Sequence, residues 1–427
     1  GVSMSEQKLF TKDFTLVLIG QIISLFGNAI LRFALPLYLL RQTGSSTLYG
    51  IVTACSFLPM ILLSLAGGVI ADRANKRNIM VALDFTTAGI ILVYYLLYGL
   101  LPLVPLLVVV LMLLYGIAGA YQPAVQASIP VLLSRDNILK GNSAINAVNT
   151  LANLIGPILG GVLFGLWGLA PVLILSIVCF TASAIMEIFI HIPFIRPDRK
   201  TKFWLVLKND LKDSVFYLRK EKPVFIRVVI LLALFNLVLS SVMVVGIPVM
   251  VVNILQMNDL FLGIAQASLG LGGILGGVLG GILSDKLKLR STYLYLLLCA
   301  VAATVMGIAL FPFMLPLVGY IIICIMSIVA MTAATLFTVQ LCAAIQRQTP
   351  QVLIGKIMAF VMTVSNCASP LGQALYGVLF DVSAAMPYLI LFGAGVLAFM
   401  ISLLSKKTFA NLEAQENTVQ QEQTEEL

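Results

Sequence analysis

The chain has 427 residues, of which 60% are hydrophobic and only 10% charged, with a formal net charge of +8. Ordinary soluble domains carry roughly 25% charged residues, so a water-soluble fold of this length would lack the polar surface it needs. A single histidine excludes a multi-histidine metal hydrolase, and the basic residues are not gathered on a soluble domain that would hold nucleic acid.

A membrane-crossing helix needs about 20 mainly apolar residues. Such spans run near 14–40, 48–71, 78–101, 103–128, 142–167 and 171–194, then near 223–252, 261–284, 291–312, 313–343, 355–381 and 384–405. Period-two alternation is absent, which argues against a β-barrel. Span 1 carries Gln21, Ser24, Asn28 and Arg32 at helical spacing, on one face. Span 2 runs into a basic loop, and span 3 places Asp84 about two turns from that loop. Span 4 repeats the polar stripe with Tyr115, Gln122 and Gln126, and span 5 presents Asn146, Asn149 and Asn153 ahead of Gly156-Pro157-Ile158-Leu159-Gly160-Gly161. Glu187 and His191 lie one turn apart at the end of span 6.

The segment near 195–222 breaks the pattern. Phe203, Trp204, Leu207, Leu211, Val215 and Leu218 recur at helical spacing among Lys and Asp residues, which predicts an amphipathic helix on the membrane face. In the second half, span 7 offers Asn236 and Ser240, span 8 a glycine-rich face, span 10 Thr335 and Thr338, and span 11 Asn366, Ser369 and Gln373. The tail after Lys407 is rich in Gln and Glu and is expected to be disordered. The six cysteines all fall inside spans without metal or redox spacing.

Every Lys and Arg except Arg32 and Arg41 falls at a junction or tail on the side of the N-terminus. The positive-inside rule therefore predicts that both ends, the central linker and the even-numbered junctions are cytoplasmic. The halves also echo each other at an offset of about 213 residues, the mark of a duplicated six-helix unit. Gly67-Gly68-Val69-Ile70-Ala71-Asp72-Arg73 answers Gly280-Gly281-Ile282-Leu283-Ser284-Asp285-Lys286, and Asn153 with Gly156-Pro157 answers Asn366 with Ser369-Pro370. The expected organisation is an N-terminal bundle at 1–194, a linker at 195–222, a C-terminal bundle at 223–405 and a tail at 406–427.

Gly68-Val69-Ile70-Ala71-Asp72-Arg73-Ala74-Asn75-Lys76-Arg77 resembles the signature loop between helices 2 and 3 of the major facilitator superfamily, with Asn75 where the family has a second glycine. Asn tolerates left-handed backbone, so a tight turn is expected there, with Asp72 near the start of the next helix. Asp285 marks a weaker second copy of the loop. Gly20-Gln21, Ser24, Gly27-Asn28, Leu83-Asp84 and Gln122-Pro123-Ala124 resemble the macrolide-efflux branch, which includes siderophore and drug exporters. The glycine–proline run of span 5 resembles an antiporter signature: Gly156, Pro157, Gly160 and Gly161 would give a bendable, smooth helix.

The resemblance implies an all-α membrane protein with two six-helix pseudo-repeats, in which spans 1, 4, 7 and 10 line a substrate cavity and spans 2, 5, 8 and 11 flank it. The substrate candidates are then Gln21, Ser24, Asn28, Arg32, Tyr115, Gln122, Gln126, Asn146, Asn149, Asn236, Ser240, Thr335, Asn366 and Gln373. The bland alternative for each is a hydrogen bond between helices. Asp72, Arg73, Arg77 and Gly68 would form the gating loop, and Asp84, Glu187 and His191 are candidate proton carriers because ionisable groups at membrane depth default to function. Asp84 has loop cations as an alternative partner, and Arg32 an outward reach beside Arg41.

No nucleotide-binding loop is present, so energy must come from a gradient. The expected activity is export of amphipathic, macrolide-like molecules by proton antiport, without a cofactor, by a monomer in the bacterial cytoplasmic membrane. A carrier of an anionic metabolite, siderophore or lipid is the alternative. A membrane enzyme or scaffold finds no catalytic cluster to support it.

Overall fold

A computed structural model describes residues 9–194, 202–283 and 286–426. Twelve helices among them are long and apolar enough to cross a membrane. They are α1 (Lys12–Thr43), α2 (Ser46–Arg73), α3 (Lys76–Leu97), α4 (Leu103–Leu132), α5 (Ile138–Trp167) and α6 (Leu169–Ile188), then α8 (Pro223–Ile254), α9 (Asp259–Ile282), α10 (Tyr293–Ala309), α11 (Pro316–Gln348), α12 (Ile354–Val382) and α13 (Tyr388–Glu425). The linker helix α7 spans Phe203–Lys220. Helices satisfy their own backbone polar groups, which is what lipid demands.

The described chain divides into two compact units. The N-terminal unit runs to Leu39 and resumes from Cys55 to Trp204; the C-terminal unit takes Leu40–Ala54 and continues from Leu205. The tip of the α1–α2 hairpin thus groups with the C-terminal unit.

In the N-terminal unit, α3 lies along α6 and α4. Close approach rests on glycines. A Cβ on Gly119 of α4 would stand 2.5 Å from the Met60 carbonyl of α2. One on Gly156 would stand 2.5 Å from the Ala29 methyl, and one on Gly160 2.9 Å from the Phe33 ring. The glycine–proline run of α5 is therefore a seat for α1 inside one unit. Asn75 also differs from expectation: it has extended backbone, and its side chain accepts the N–H groups of Arg77 and Asn78 as the N-cap of α3. Asp72 lies in the last turn of α2, not at the start of α3.

In the C-terminal unit, α9 packs against α11 and α10 against α13. Gly272 and Gly276 of α9 meet the backbone of Ile328 and Thr332 on α11. The linker helix docks here: Lys356 Nζ lies 3.4 Å from both Asp210 and Asp213, and Ser214 Oγ, which donates to the Asp210 carbonyl at 2.8 Å, lies 3.4 Å from the Lys356 carbonyl. Beyond Lys407 the chain remains helical to Glu425. Phe409 and Leu412 are fully buried, Gln348 Nε2 donates to the Leu412 carbonyl at 3.0 Å, and Arg347 pairs with Glu416. Composition suggested disorder; two apolar anchors and Arg347 with Gln348 at the end of α11 hold the tail as helix.

The hairpin tip is clasped by α12. Helix α2 begins at Ser46, where the first N–H groups have no partner in their own helix. Ser45 Oγ accepts the N–H of Leu48 at 3.2 Å. The Asp381 carboxylate of α12 accepts the N–H groups of Ser46 at 3.1 Å and Thr47 at 2.7 Å, and both neighbouring hydroxyls, Ser45 and Thr47. One turn back, Gly377 crosses Gly50: a Cβ on Gly377 would lie 2.6 Å from the Ser46 carbonyl and 2.9 Å from Gly50 Cα. Arg41 adds a 2.9 Å ion pair to Asp259 and donates to the Met257 carbonyl.

Candidate functional site: a buried carboxylate pair on four helices

The polar stripe of α1 divides into two places. Gln21 and Ser24 are buried against α3, α4 and α6, while Asn28 is half-buried and Arg32 exposed.

At the first place two acids meet. Asp84 of α3 is 3% exposed and Glu187 of α6 is fully buried. Ser183, one turn before Glu187, stands between them: its Oγ lies 2.9 Å from Asp84 Oδ2 and 3.2 Å from Glu187 Oε1. Ser24 Oγ donates to Asp84 Oδ2 at 3.3 Å and lies 3.0 Å from Ser183 Oγ. Tyr121 of α4 donates its hydroxyl to Glu187 Oε1 and accepts from Gln21 Nε2 at 3.3 Å. Gln122 Nε2 approaches Gln21 Oε1 at 3.5 Å. Glu187 Oε2 is buried with no hydrogen-bond partner.

A count of hydrogens explains the arrangement. Each Ser and Tyr hydroxyl has one hydrogen to give. Ser24, Ser183 and Tyr121 thus supply three for four carboxylate oxygens, and Ser183 is also within 3.4 Å of the Gly20 carbonyl. No salt bridge reaches either acid among the described residues.

At the second place, the Arg32 guanidinium lies 4.8 Å from the Tyr115 ring centroid and its Nη2 is 3.9 Å from Met60 Sδ. Asn28, Leu31, Leu35, Leu111 and Leu114 complete a small hollow around it.

The remaining candidates separate. His191 is exposed, and its backbone N–H donates to Asp13 Oδ1 at 3.0 Å, so it does not join the acids. Asn146, Asn149 and Gln126 are exposed. Asn236 donates to the Ser365 carbonyl at 3.1 Å and to Asn366 Oδ1 at 3.2 Å, bracing α12 where Pro370 has no N–H for the Asn366 carbonyl. Ser240 closes a π-type turn of α8 and lines an apolar cavity of about 110 Å³ with Phe235, Met243, Cys299 and Met331. Thr335 packs on Gly276. Gln373 is 1% exposed beneath the α2 crossing, so it lines no open space in the unit. Arg77 Nη1 donates to the Ile188 carbonyl at 3.2 Å, tying the signature loop to the end of α6. Asp285 lies outside the described residues. The sequence reading passed over Ser183, although its spacing one turn before Glu187 was visible.

Twelve spanning helices in two units, with ionisable groups held inside one of them, define a polytopic membrane transporter. The Major Facilitator Superfamily profile matches residues 17–373, and the chain belongs to that family. It is 24% identical over 224 residues to macrolide efflux protein A of Streptococcus pyogenes, covering 52% of this chain and 55% of that protein. It is 29% identical over 159 residues to the enterobactin exporter EntS of Citrobacter koseri, covering 37% of this chain and 38% of that one. The matched stretches thus span about half the length of these relatives or less. A bacterial homologue of the lysosomal transporter Spinster superposes with a TM-score of 0.72 at 12% identity, over 96% of this chain and 99% of that one. That likeness concerns the fold.

Proposed function

We propose that the chain is a secondary active exporter of amphipathic, macrolide-like small molecules, working by alternating access with proton antiport, as a monomer in the bacterial cytoplasmic membrane with both ends inside. The observation that carries the coupling is the Asp84–Ser183–Glu187 contact: two buried acids, three hydroxyl hydrogens and, among the described residues, no paired Lys or Arg. Such a pair holds one proton between its members and releases it when the surrounding hydroxyls re-aim. Tyr121 and Gln21 join the pair to the face of α1 and α4 on which Gln122 is half-buried, giving substrate a route to disturb it. The macrolide efflux relative supports the substrate class.

Everted vesicles energised by a pH gradient test this reading, with erythromycin as the probe. Wild type should accumulate it in proportion to the gradient. Glu187→Gln, which keeps the shape and removes the titratable group, should bind erythromycin yet lose most of the gradient dependence. Undiminished gradient-driven uptake in both Glu187→Gln and Asp84→Asn would remove the pair from coupling.

A second reading concerns substrate charge. Arg32 stacks on Tyr115 without a carboxylate partner among the described residues, and the enterobactin exporter is a relative. An acidic group on the substrate would complete its coordination.

A further inference from the structure

The start of α8 packs against the extension of α13 inside the C-terminal unit, and a cleft of about 390 Å³ lies between them. Pro223, Val224 and Arg227 line one wall, and Asn411, Ala414 and Gln415 the other. The volume is within the range of about 300–1,000 Å³ that small-molecule sites occupy. Pro223 opens α8 without an N–H of its own, and the Lys222 side chain does not cap the helix. A helix start presents the positive end of the dipole and free N–H groups, which favour an anion. Arg227 adds a full charge one turn further along the same wall. Lys407 stands one turn before Asn411 on the same face of α13.

The polar groups of this cleft are uncommitted. Arg227, Lys407 and Asn411 are exposed, and among the described residues none of their side chains makes an ion pair or hydrogen bond. Gln415 Oε1 is buried without a hydrogen-bond partner, so nothing fixes that carboxamide. Its rotation turns either the NH₂ or the oxygen toward the cleft. Other cations of the unit are engaged: Arg290 with Glu413, Arg347 with Glu416, and Lys356 with Asp210 and Asp213. Those pairs also draw Glu413 and Glu416, the acids of α13 nearest in sequence to the cleft residues, toward other partners. Glu221, exposed in the turn before Pro223, does not pair with Arg227. A positive cleft is left without an anion from the chain.

Position along the helices favours a lipid over a free anion. The apolar run of α13 ends at Leu404, just before Lys406 and Lys407, and that of α8 begins at Pro223. Beyond the cleft both helices present bare apolar surface: Ile226 and Ile230 of α8, and Leu403 and Leu404 of α13, are exposed. Cations at the water end of two spanning helices stand at the level of lipid phosphates, with a seat for acyl chains beside them. The linker helix that leads into Pro223 leaves Val215 and Phe216 exposed, which adds apolar surface for the same membrane face. We propose that the cleft binds the headgroup of an anionic phospholipid of the phosphatidylglycerol type. Arg227, Lys407 and the start of α8 hold the phosphate, and the Asn411 and Gln415 carboxamides meet the headgroup hydroxyls. Basic pockets between spanning helices hold anionic headgroups in this way. The site makes no use of the transported molecule, so it stands apart from the transport reading.

The test titrates delipidated full-length protein in detergent with dioleoyl phosphatidylglycerol and counts bound lipid by native mass spectrometry. One lipid should bind more tightly than phosphatidylcholine by about tenfold, the effect of a charge-assisted hydrogen bond. Arg227→Gln and Lys407→Gln should each weaken it about fivefold, the effect of one cation near an anionic surface. Lys406→Gln removes the same charge one position away, where Nζ lies 5.3 Å from the Tyr293 ring centroid. It should leave binding within about twofold of wild type. Thermal unfolding without lipid checks that the variants are folded alike. Equal binding of phosphatidylcholine, or equal loss in Lys406→Gln and Arg227→Gln, would reduce the lipid to unspecific annular contact and overturn the site. Inorganic phosphate or glycerol phosphate competing as strongly as the lipid would overturn the lipid assignment in favour of a free anion. Full affinity in both Arg227→Gln and Lys407→Gln would place any bound lipid elsewhere.

Discussion

Arg32 shows how much a single side chain can carry at membrane depth. An unpaired guanidinium there costs at least about 2.5 kcal/mol by insertion measurements, so it must find water, a π-face or an anion. The Tyr115 ring at 4.8 Å supplies part of that need, and a cation over an aromatic face gains about 0.5–2 kcal/mol depending on desolvation. Two kinds of interaction are thereby combined in one place: a flat aromatic surface for a ring or macrocycle, and donors for an acid. Arg32→Gln should therefore shift preference away from acidic substrates, by about tenfold if one charge-assisted hydrogen bond of roughly 1.5 kcal/mol is lost, while neutral substrates are still carried. Competition assays against labelled erythromycin with paired acidic and neutral analogues measure this. An unchanged preference series would leave Arg32 as an anchor on Tyr115. The acid pair marks the limit of reading residues singly. Asp84 and Glu187 each stood out in the sequence as buried charges, but 103 positions separate them along the chain. Nothing in periodicity says that α3 and α6 lie side by side. That fact comes from packing, and it turns two doubtful acids into one site.

Among the helices, small residues decide which pairs approach closely, and the glycines of this chain are not equivalent. At the hairpin end, Gly50 and Gly377 bring α2 and α12 into backbone contact, and Asp381, one turn beyond Gly377, caps α2 from another helix. A carboxylate at a helix N-terminus is favoured by the dipole and by the free N–H groups together. Gly377→Ala would force a methyl to within 2.6 Å of the Ser46 carbonyl. It should cost about 1–3 kcal/mol through strain and should also weaken the Asp381 bonds. Gly277→Ala, on the open side of α9, meets nothing within 4 Å and should stay within about 0.5 kcal/mol of wild type. Thermal unfolding in detergent compares the two, and equal melting temperatures would show that the crossing is looser than its geometry. The spans themselves were legible because length and hydropathy define a spanning helix. The clasp was not, because a helix capped by a distant residue leaves no local signal. For the same reason the tail misled: its composition is polar, and the anchors Phe409 and Leu412 are only two residues in a long polar stretch.

For the molecule as a whole, charge and topology make one joint claim. An even number of spans predicts that the N-terminus, the linker helix α7 and the extension of α13 end on the same side of the membrane. In the C-terminal unit three of these cations are paired: Lys356 with Asp210 and Asp213, Arg347 with Glu416, and Arg290 with Glu413 at 3.9 Å. On the hairpin face, Arg41 is held by Asp259 and by a backbone carbonyl, and Asp381 is held by the start of α2. Retention of Lys and Arg on the cytoplasmic side decides orientation during insertion, so the cation-rich face should be cytoplasmic. Single cysteines introduced after replacing the six native ones report it in intact cells. Trp204→Cys on α7 and Ala414→Cys on the α13 extension should resist an impermeant maleimide until the membrane is opened. Gly44→Cys at the hairpin is less suitable, because Gly44 has φ +62 and a side chain there is strained; Thr43→Cys avoids that cost and should label at once. Immediate labelling at 204 and 414 with protection at 43 would invert the molecule. The Asp381 clasp would then face the cytoplasm and the signature loop the outside, which would also reverse the direction assigned to transport.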